Sequence, residues 1–158
     1  MSWPRQFGPD APDARSRSDR LQKLGPVLQV ILTNPFADEI NAAPPVVSDA
    51  MVDTGASCIC VDNRAARELR LQKIAPTNLI AVGASHPSWL YAARVQAPEL
   101  DFDRIMQVCA PDGVRVTPRI LLGRSFLQYF SFSFNGISGV FTFHNSAAEV
   151  ADHHDIDE

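Results

Sequence analysis

One short segment places a carboxylate where it could do acid–base chemistry. Asp53 follows an apolar run that ends at Val52, and Thr54 and Gly55 come directly after it. An aspartate followed by a hydroxyl and a glycine is typical of a turn. The sequence therefore predicts that the Asp53 carboxylate lies in a turn at the end of a strand, where such a group can take up or release a proton.

A second segment has the same form, an apolar strand that ends in a turn. It runs from Ile120 through Leu122, Gly123 and Arg124 into a short helical stretch. Taken alone, Asp-Thr-Gly is more often an ordinary turn than a catalytic site, because a tripeptide match is weak. The order of the two segments along the chain is what gives the first one weight.

The other residues that could do chemistry have simpler structural explanations. Alternation along a strand places Cys58 and Cys60 on one face, where buried structural thiols are a better interpretation than half of a metal site. His86, His144 and the adjacent pair in the tail do not have zinc-ligand spacing. No serine lies in a Gly-x-Ser-x-Gly setting. We therefore expect no metal and no cofactor.

The elements that would position these residues are mostly short strands. Val, Ile and aromatic runs punctuated by Pro, Gly and Asn predict strands at 27–33, 46–52, 59–61, 89–100, 102–109 and 114–122, and a hairpin over 130–143. Helical patterns are confined to 64–70 and 124–130. Many short strands with few helices predict an all-β fold, a closed β-barrel or sandwich.

Length and composition limit the other possibilities. The chain has 158 residues, enough for one domain. Residues 1–26 show no apolar periodicity and are predicted to form a flexible arm. Residues 27–145 are predicted to form the folded domain, and residues 146–158 an acidic disordered tail. The net charge of −4 argues against a nucleic-acid partner.

The cysteine count and the apolar runs bear on location. Three cysteines form an odd number, and no secretory signal opens the chain, so a reducing, cytoplasmic location is expected. The apolar runs are too short to span a membrane.

The order of the motifs resembles that of the retropepsins, the retroviral-type aspartic proteases, over 27–143. The resemblance implies a closed barrel with a flap hairpin, here 79–87 running into 89–100. It assigns catalysis to Asp53, Thr54 and Gly55, and support of the site to Leu122, Gly123 and Arg124. The residues it suggests for substrate binding are Ala56, Ser57, Ile80, Val82, Gly83, Ala84 and Trp89.

The resemblance also implies an activity. The related chemistry needs two carboxylates that share a proton across a water molecule, and only one Asp-Thr-Gly occurs in this chain. Two chains must then meet as a homodimer, each supplying Asp53. The expected reaction is hydrolysis of peptide bonds between apolar residues, with proteins or peptides as substrates.

Two alternatives remain open from the sequence. One is a retropepsin-fold binding or scaffolding module that does not cleave. The other is a structural barrel whose turn motif arose by chance, which has to explain both motifs as coincidence. Binding of a statine inhibitor, which mimics the tetrahedral intermediate, would separate an enzyme from both.

Overall fold

The computed structural model describes residues 2–81 and 83–145. Within these residues the strands are β1 (Arg5–Phe7), β2 (Val27–Thr33), β3 (Val46–Val52), β4 (Ile59–Val61), β5 (Lys73–Ala81), β6 (Ala84–Ala97), β7 (Phe102–Pro111), β8 (Ile120–Leu122), β9 (Phe130–Asn135) and β10 (Val140–Asn145). The helices are α1 (Ala14–Leu24), α2 (Asn63–Glu68) and α3 (Arg124–Leu127), with a 3₁₀ turn at Pro98–Leu100. Two compact units result: a barrel unit, Leu28–Ser125, and a terminal unit made of residues up to Val27 and from Phe126 onward.

The barrel unit is a sheet that closes on itself. Its strands are hydrogen-bonded in the order β2-β3-β8-β4-β7-β6-β5, and a further pairing of β2 with β6 joins the two sides. Six strands therefore form a ring, and β5 extends from β6 as a hairpin arm. The predicted all-β class with a closed barrel is confirmed.

Alternation of side chains builds the core of this barrel. Along β2, Leu28, Val30 and Leu32 are buried, whereas Gln29 between them is exposed. Along β6, Ala93 and Val95 are buried and Arg94 is exposed. A period of two is the signature of a strand with one face on a core, and this pattern allowed the strands to be predicted.

β8 occupies the position that matters most for the site. It runs parallel to β3, with Val52 opposite Leu122, and antiparallel to β4, with Cys60 opposite Leu121. It therefore lies between the strand that enters the Asp53 turn and the strand that leaves it. Because parallel strands end at the same edge of a sheet, the residues after β3 and after β8 emerge side by side.

The β5–β6 hairpin matches the predicted flap and is longer than expected. Its pairing runs from Lys73 opposite Tyr91 to Ala81 opposite Ala84. Gly83 has φ of 75° in the connection, a conformation that glycine adopts without a Cβ penalty. His86, which the sequence placed in the flap tip, lies within β6 opposite Leu79.

The terminal unit is a three-stranded antiparallel sheet with helix α1. Its strand order is β1-β10-β9, with Arg5 opposite Phe143. The Arg17 Nε on α1 donates to the Ser138 carbonyl at 2.9 Å, which ties the helix to the β9–β10 turn. Gly139 belongs to that turn, where a Cβ would lie 2.3 Å from the Ser18 nitrogen.

The predicted flexible arm over 1–26 is wrong for most of its length, because it contains β1 and α1. Asp13 caps the helix by accepting from the Ser16 N–H at 2.9 Å, and Gly25 ends it with φ of 73°. Leu21 is the buried residue of the helix. Helix α1 has so small an apolar face that its sequence shows little hydrophobic periodicity, although its cap residues can be recognised. The predicted acidic tail, 146–158, lies outside the described residues.

Prolines account for two differences in strand length. The strand predicted at 114–122 is confined to β8, because Pro118 has no N–H to donate. The strand predicted at 89–100 stops at Ala97, where Pro98 begins the 3₁₀ turn. In the described part of the chain, no helix is long and apolar enough to cross a membrane.

Phe143 should be a main source of stability in the terminal unit. It is fully buried, and its ring centroid lies 5.1 Å from that of Phe132 and 5.4 Å from that of Phe130. Phe143→Ala should lower the free energy of unfolding by about 3–5 kcal/mol in urea denaturation. Phe134→Ala is the matched control, since Phe134 is 51% exposed on the neighbouring strand, and it should cost less than about 1 kcal/mol. Equal losses for the two variants would contradict this packing.

Candidate functional site

The Asp53 turn is built by backbone hydrogen bonds. The Asp53 N–H donates to the Leu122 carbonyl of β8 at 3.0 Å, which continues the β3–β8 pairing into the turn. The Ala56 N–H then donates to the Asp53 carbonyl at 3.2 Å. The Gly55 N–H donates to the Asp53 Oδ1 at 2.9 Å, so the carboxylate is oriented by the turn that carries it. An aspartate that accepts from the backbone two residues ahead is a recognised turn former.

The chain after β8 holds the same turn from its other side. The Arg124 N–H donates to the Ala56 carbonyl at 2.9 Å, and the Ser125 N–H donates to the Ser57 carbonyl at 3.0 Å. The Arg124 side chain reaches back, where its Nη1 donates to the Thr54 carbonyl at 2.8 Å and to the Gly55 carbonyl at 3.2 Å. The start of α3 and the Asp53 turn are thus joined by four hydrogen bonds.

Gly123 makes this close approach possible. A Cβ at this position would lie 2.2 Å from the Cys58 carbonyl oxygen and 2.7 Å from the Ala56 carbonyl oxygen. Both atoms belong to the backbone and cannot move aside as a flexible side chain would. Leu122, Gly123 and Arg124 therefore all contact the Asp53 turn, and their supporting role in the activity stays a prediction.

A cleft of about 670 Å³ opens beside the turn. The residues that line it are Asp53, Gly55, Ala56, Ser57, Cys58, Cys60, Thr77, Asn78, Leu79, Ile80, Ala81, Leu90, Cys109, Leu121 and Arg124. Asp53 is the one carboxylate in this set, which is drawn from the described residues. One wall is the β5 arm of the hairpin, so the cleft lies between the Asp53 turn and the predicted flap.

The floor of the cleft is a row of side chains that crosses four strands. Leu90 of β6 is opposite Cys109 of β7, Cys109 is opposite Cys60 of β4, and Cys60 is opposite Leu121 of β8. Residues in register on neighbouring strands point to the same face of a sheet. All four therefore face the cleft that Asp53 faces.

The structure brings most of the predicted site residues to this cleft. Asp53, Gly55, Ala56, Ser57, Ile80 and Arg124 line it. Thr54 is exposed on the turn itself, and Leu122 and Gly123 support the turn from behind. Gly83 and Ala84 are exposed at the end of the hairpin and do not line the cleft. Val82 lies outside the described residues.

The structure does not bring Trp89 into the cleft. It borders a separate depression that also contains Pro76, and the Lys73 ammonium lies 4.3 Å from the centre of its ring. The reason is alternation, since Trp89 and Leu90 point to opposite faces of β6. Leu90 lines the cleft instead.

The sequence interpretation also missed the cysteines as parts of the cleft. The sequence predicts Cys58 and Cys60 as buried structural thiols and shows no link between them and Cys109. The spacing of Cys58 and Cys60 in the sequence shows that these two side chains lie on one face of a strand. The position of Cys109 depends on the pairing of β4 with β7, strands far apart in sequence, and no local pattern shows it.

The chain matches no described protein family and no curated protein. It is similar in structure to the EIAV protease complexed with the inhibitor HBY-793, with 16% identity over 65% of this chain and 85% of that chain, and a TM-score of 0.49. It is also similar to a retropepsin-like aspartic protease from Rickettsia conorii, with 16% identity over 72% and 97% of the two chains and a TM-score of 0.47.

A third similar structure is the retroviral protease-like domain of Ddi1 from Leishmania major, with 15% identity over 70% and 82% and a TM-score of 0.38. Likenesses at this identity concern the fold alone. Each TM-score lies below 0.5, and the geometry of the site itself supports the function proposed below.

Gly123→Ala should disrupt the site and destabilise the barrel unit. The added methyl group would overlap two backbone carbonyls, and overpacking of this kind costs at least about 1–3 kcal/mol in thermal or urea unfolding. Gly136→Ala is the matched control, because the nearest atom to its Cβ is 3.5 Å away on a side chain. A Gly123→Ala protein as stable as the Gly136→Ala protein would show that the close approach is not required.

Proposed function

We propose that this chain is an aspartic endopeptidase of the retropepsin type that works as a homodimer, with one Asp53 from each subunit. The observation that carries the proposal is the Asp53 carboxylate, which its own turn orients at the edge of a cleft lined by the hairpin. The cleft volume of about 670 Å³ is within the range that holds small-molecule and peptide ligands. The turn is held by backbone hydrogen bonds, which keep a catalytic group in place.

The chemistry requires two carboxylates with one proton between them. Two carboxyl groups held close together do not both ionise, because their charges repel. The ionised Asp53 takes a proton from a water molecule as its oxygen attacks the peptide carbonyl carbon. The protonated Asp53 of the other subunit donates its proton to the carbonyl oxygen. Collapse of the tetrahedral intermediate then breaks the C–N bond. The departing nitrogen takes the proton that the first Asp53 had accepted from water, and the second Asp53 takes a proton from a hydroxyl of the intermediate, which restores the pair.

A single chain supplies half of this arrangement. Asp53 is the one carboxylate among the described residues around the cleft, and Thr54 and Gly55 beside it are exposed. A second subunit that approaches around a twofold axis through this turn would bring the second Asp53. By its resemblance to the retropepsins, Thr54 of each chain would hydrogen-bond across that axis.

The walls of the cleft favour apolar substrates. Leu79, Leu90 and Leu121 line it, and Ile80 is 78% exposed on the β5 arm. Burial of one large apolar side chain stabilises a complex by about 1.5–3 kcal/mol. Peptides with bulky apolar residues on both sides of the cleaved bond are therefore the proposed substrates.

Asp53→Asn should abolish cleavage without unfolding the protein. A peptide library incubated with the wild-type protein should be cut between apolar residues, and the variant should lower kcat/KM by more than about 100-fold, since it removes the acid–base groups. Asp49→Asn is the matched control, because Asp49 is exposed on β3 and does not line the cleft. Circular dichroism should show the same fold in all three proteins.

Two results would reject this assignment. Residual cleavage by Asp53→Asn at a rate near that of Asp49→Asn would remove Asp53 from catalysis. A wild-type protein that binds library peptides and cuts none of them would be the silent binding module.

Mixing wild-type and Asp53→Asn chains should test the need for two subunits. After subunit exchange at equal amounts, random pairing places about half of the wild-type chains with an inactive partner. The cleavage rate should therefore fall to about half of the rate given by the same amount of wild-type chain alone. Addition of Asp49→Asn chains should instead increase the rate. Specific activity should also fall on dilution as dimers dissociate. Unchanged activity in both the mixing and the dilution series would show that one chain is sufficient.

A further inference from the structure

Three thiols meet at the floor of the cleft, and the proposed peptidase chemistry uses none of them. Cys60 of β4 is in register with Cys109 of β7, and Cys58 lies two residues before Cys60. All three line the cleft beside Asp53, and all three are free cysteines.

The three thiols differ in exposure. Cys60 and Cys109 are only 3% and 2% exposed, whereas Cys58 is half-buried and precedes the start of β4. A small reagent that enters the cleft therefore meets the Cys58 sulfur first. The two buried thiols lie behind it on the sheet.

Hydrogen bonding adds to the greater exposure of Cys58 in favouring it as the reactive thiol. Two hydrogen bonds lower the pKa of Cys58 well below its ordinary value: one with the Cys109 thiol, which has the larger effect, and one with the Cys60 thiol. Hydrogen bonds with Cys109 and then with Cys58 raise the pKa of Cys60, and the hydrogen bond with Cys58 raises the pKa of Cys109, so these two thiols keep their protons. A thiolate, and not a thiol, is the nucleophile in sulfur chemistry.

We propose that Cys58, Cys60 and Cys109 form a peroxide-oxidisable thiol site, in which Cys58 is oxidised first and Cys109 closes a Cys58–Cys109 disulfide. Among the described residues, no group of His, Cys, Asp and Glu side chains is arranged to hold a metal ion, so sulfur oxidation fits the cluster better than metal binding. The site goes beyond the proposed peptidase and does not depend on it.

The chemistry takes two steps. The Cys58 thiolate attacks one oxygen of hydrogen peroxide; the O–O bond breaks, an S–O bond forms, and hydroxide leaves and is protonated to water. The Cys109 sulfur then attacks the sulfenic sulfur; the S–O bond breaks, the S–S bond forms, and the hydroxyl leaves with the Cys109 proton as a second water molecule. The two thiols lose two electrons in total, and the peroxide is reduced to water.

Cys109 is a better second partner than Cys60. A Cys58–Cys60 disulfide would close a small ring around a single intervening residue, which strains the bond. Cys109 is on a neighbouring strand and lines the same cleft, and its thiol contributes most to the lowered pKa of Cys58. Cys60 then serves as the second donor that stabilises the thiolate.

The test is a thiol count on the full chain. The reduced protein has three free thiols, and about one equivalent of hydrogen peroxide should leave one after quenching and denaturation. Mass spectrometry of a non-reduced tryptic digest should find peptide 24–64 linked to peptide 105–115. No Lys or Arg lies between Lys23 and Arg64, so Cys58 and Cys60 share one peptide and variants are needed to tell them apart.

Three serine variants identify which cysteine is oxidised first and which one closes the disulfide. Cys60→Ser should still form the link, and Cys58→Ser should not. Cys109→Ser should accumulate a sulfenic acid at Cys58 that dimedone traps. If a variant fails to fold, limited alkylation of the wild-type protein with iodoacetamide should label Cys58 first, with the labelled residue located by fragment-ion sequencing of peptide 24–64.

Several results would overturn the proposal. These are three thiols that survive the peroxide, a link that persists in Cys58→Ser, a disulfide between two chains on a non-reducing gel, or first labelling at Cys60 or Cys109. The Asp53→Asn protein should give the same thiol count as the wild type. Failure of the peptidase proposal and failure of the thiol proposal are therefore separate outcomes.

Discussion

The candidate site depends on one strand that pairs with two partners. β8 is parallel to β3 and antiparallel to β4, so it lies between the strand that enters the Asp53 turn and the strand that leaves it. The segment after β8 must then pass directly against the turn. Gly123 permits that approach, and Arg124 uses it to hold the Thr54 and Gly55 carbonyls. Without this pairing the Asp53 carboxylate would lie on an unsupported loop.

The same pairing connects the catalytic proposal with the thiol proposal. β8 and β4 continue the sheet to β7 and β6, and the row from Leu121 through Cys60 and Cys109 to Leu90 becomes the floor of the cleft. Asp53 is at one edge of that floor, and Cys58 is on the segment that leaves its turn. The Asp53 carboxylate and the Cys58 sulfur are thus placed in one cleft by one set of strand registers.

Local patterns were enough to predict most of the barrel strands. Alternation in β2, and the apolar run of β3 that ends at Asp53, gave bounds that the structure reproduces at 27–33 and 46–52. The turn at Asp53-Thr54-Gly55 was equally local. Helix α1 was missed because it buries little apolar surface, although Asp13 and Gly25 mark its ends.

Features that depend on pairing between distant strands could not be read from the sequence. The closure of β2 on β6 and the position of Cys109 opposite Cys60 both need the register of strands far apart in the chain. Trp89 lies outside the cleft and Leu90 lines it for a related reason. Alternation shows that these two residues face opposite ways, but it does not say which face meets the cleft.

The two units differ in how the chain contributes to them, and this sets an order of events during synthesis. The barrel unit is one continuous stretch, Leu28–Ser125, whereas the terminal unit combines segments from both sides of it. β1 pairs with β10, with Arg5 opposite Phe143, so this sheet needs the beginning and the end of the described chain together. Every residue of the barrel unit is synthesised before β9 and β10. β1 is made first and β10, its strand partner, is made last among the described strands, so β1 has no strand to pair with until synthesis has passed β10.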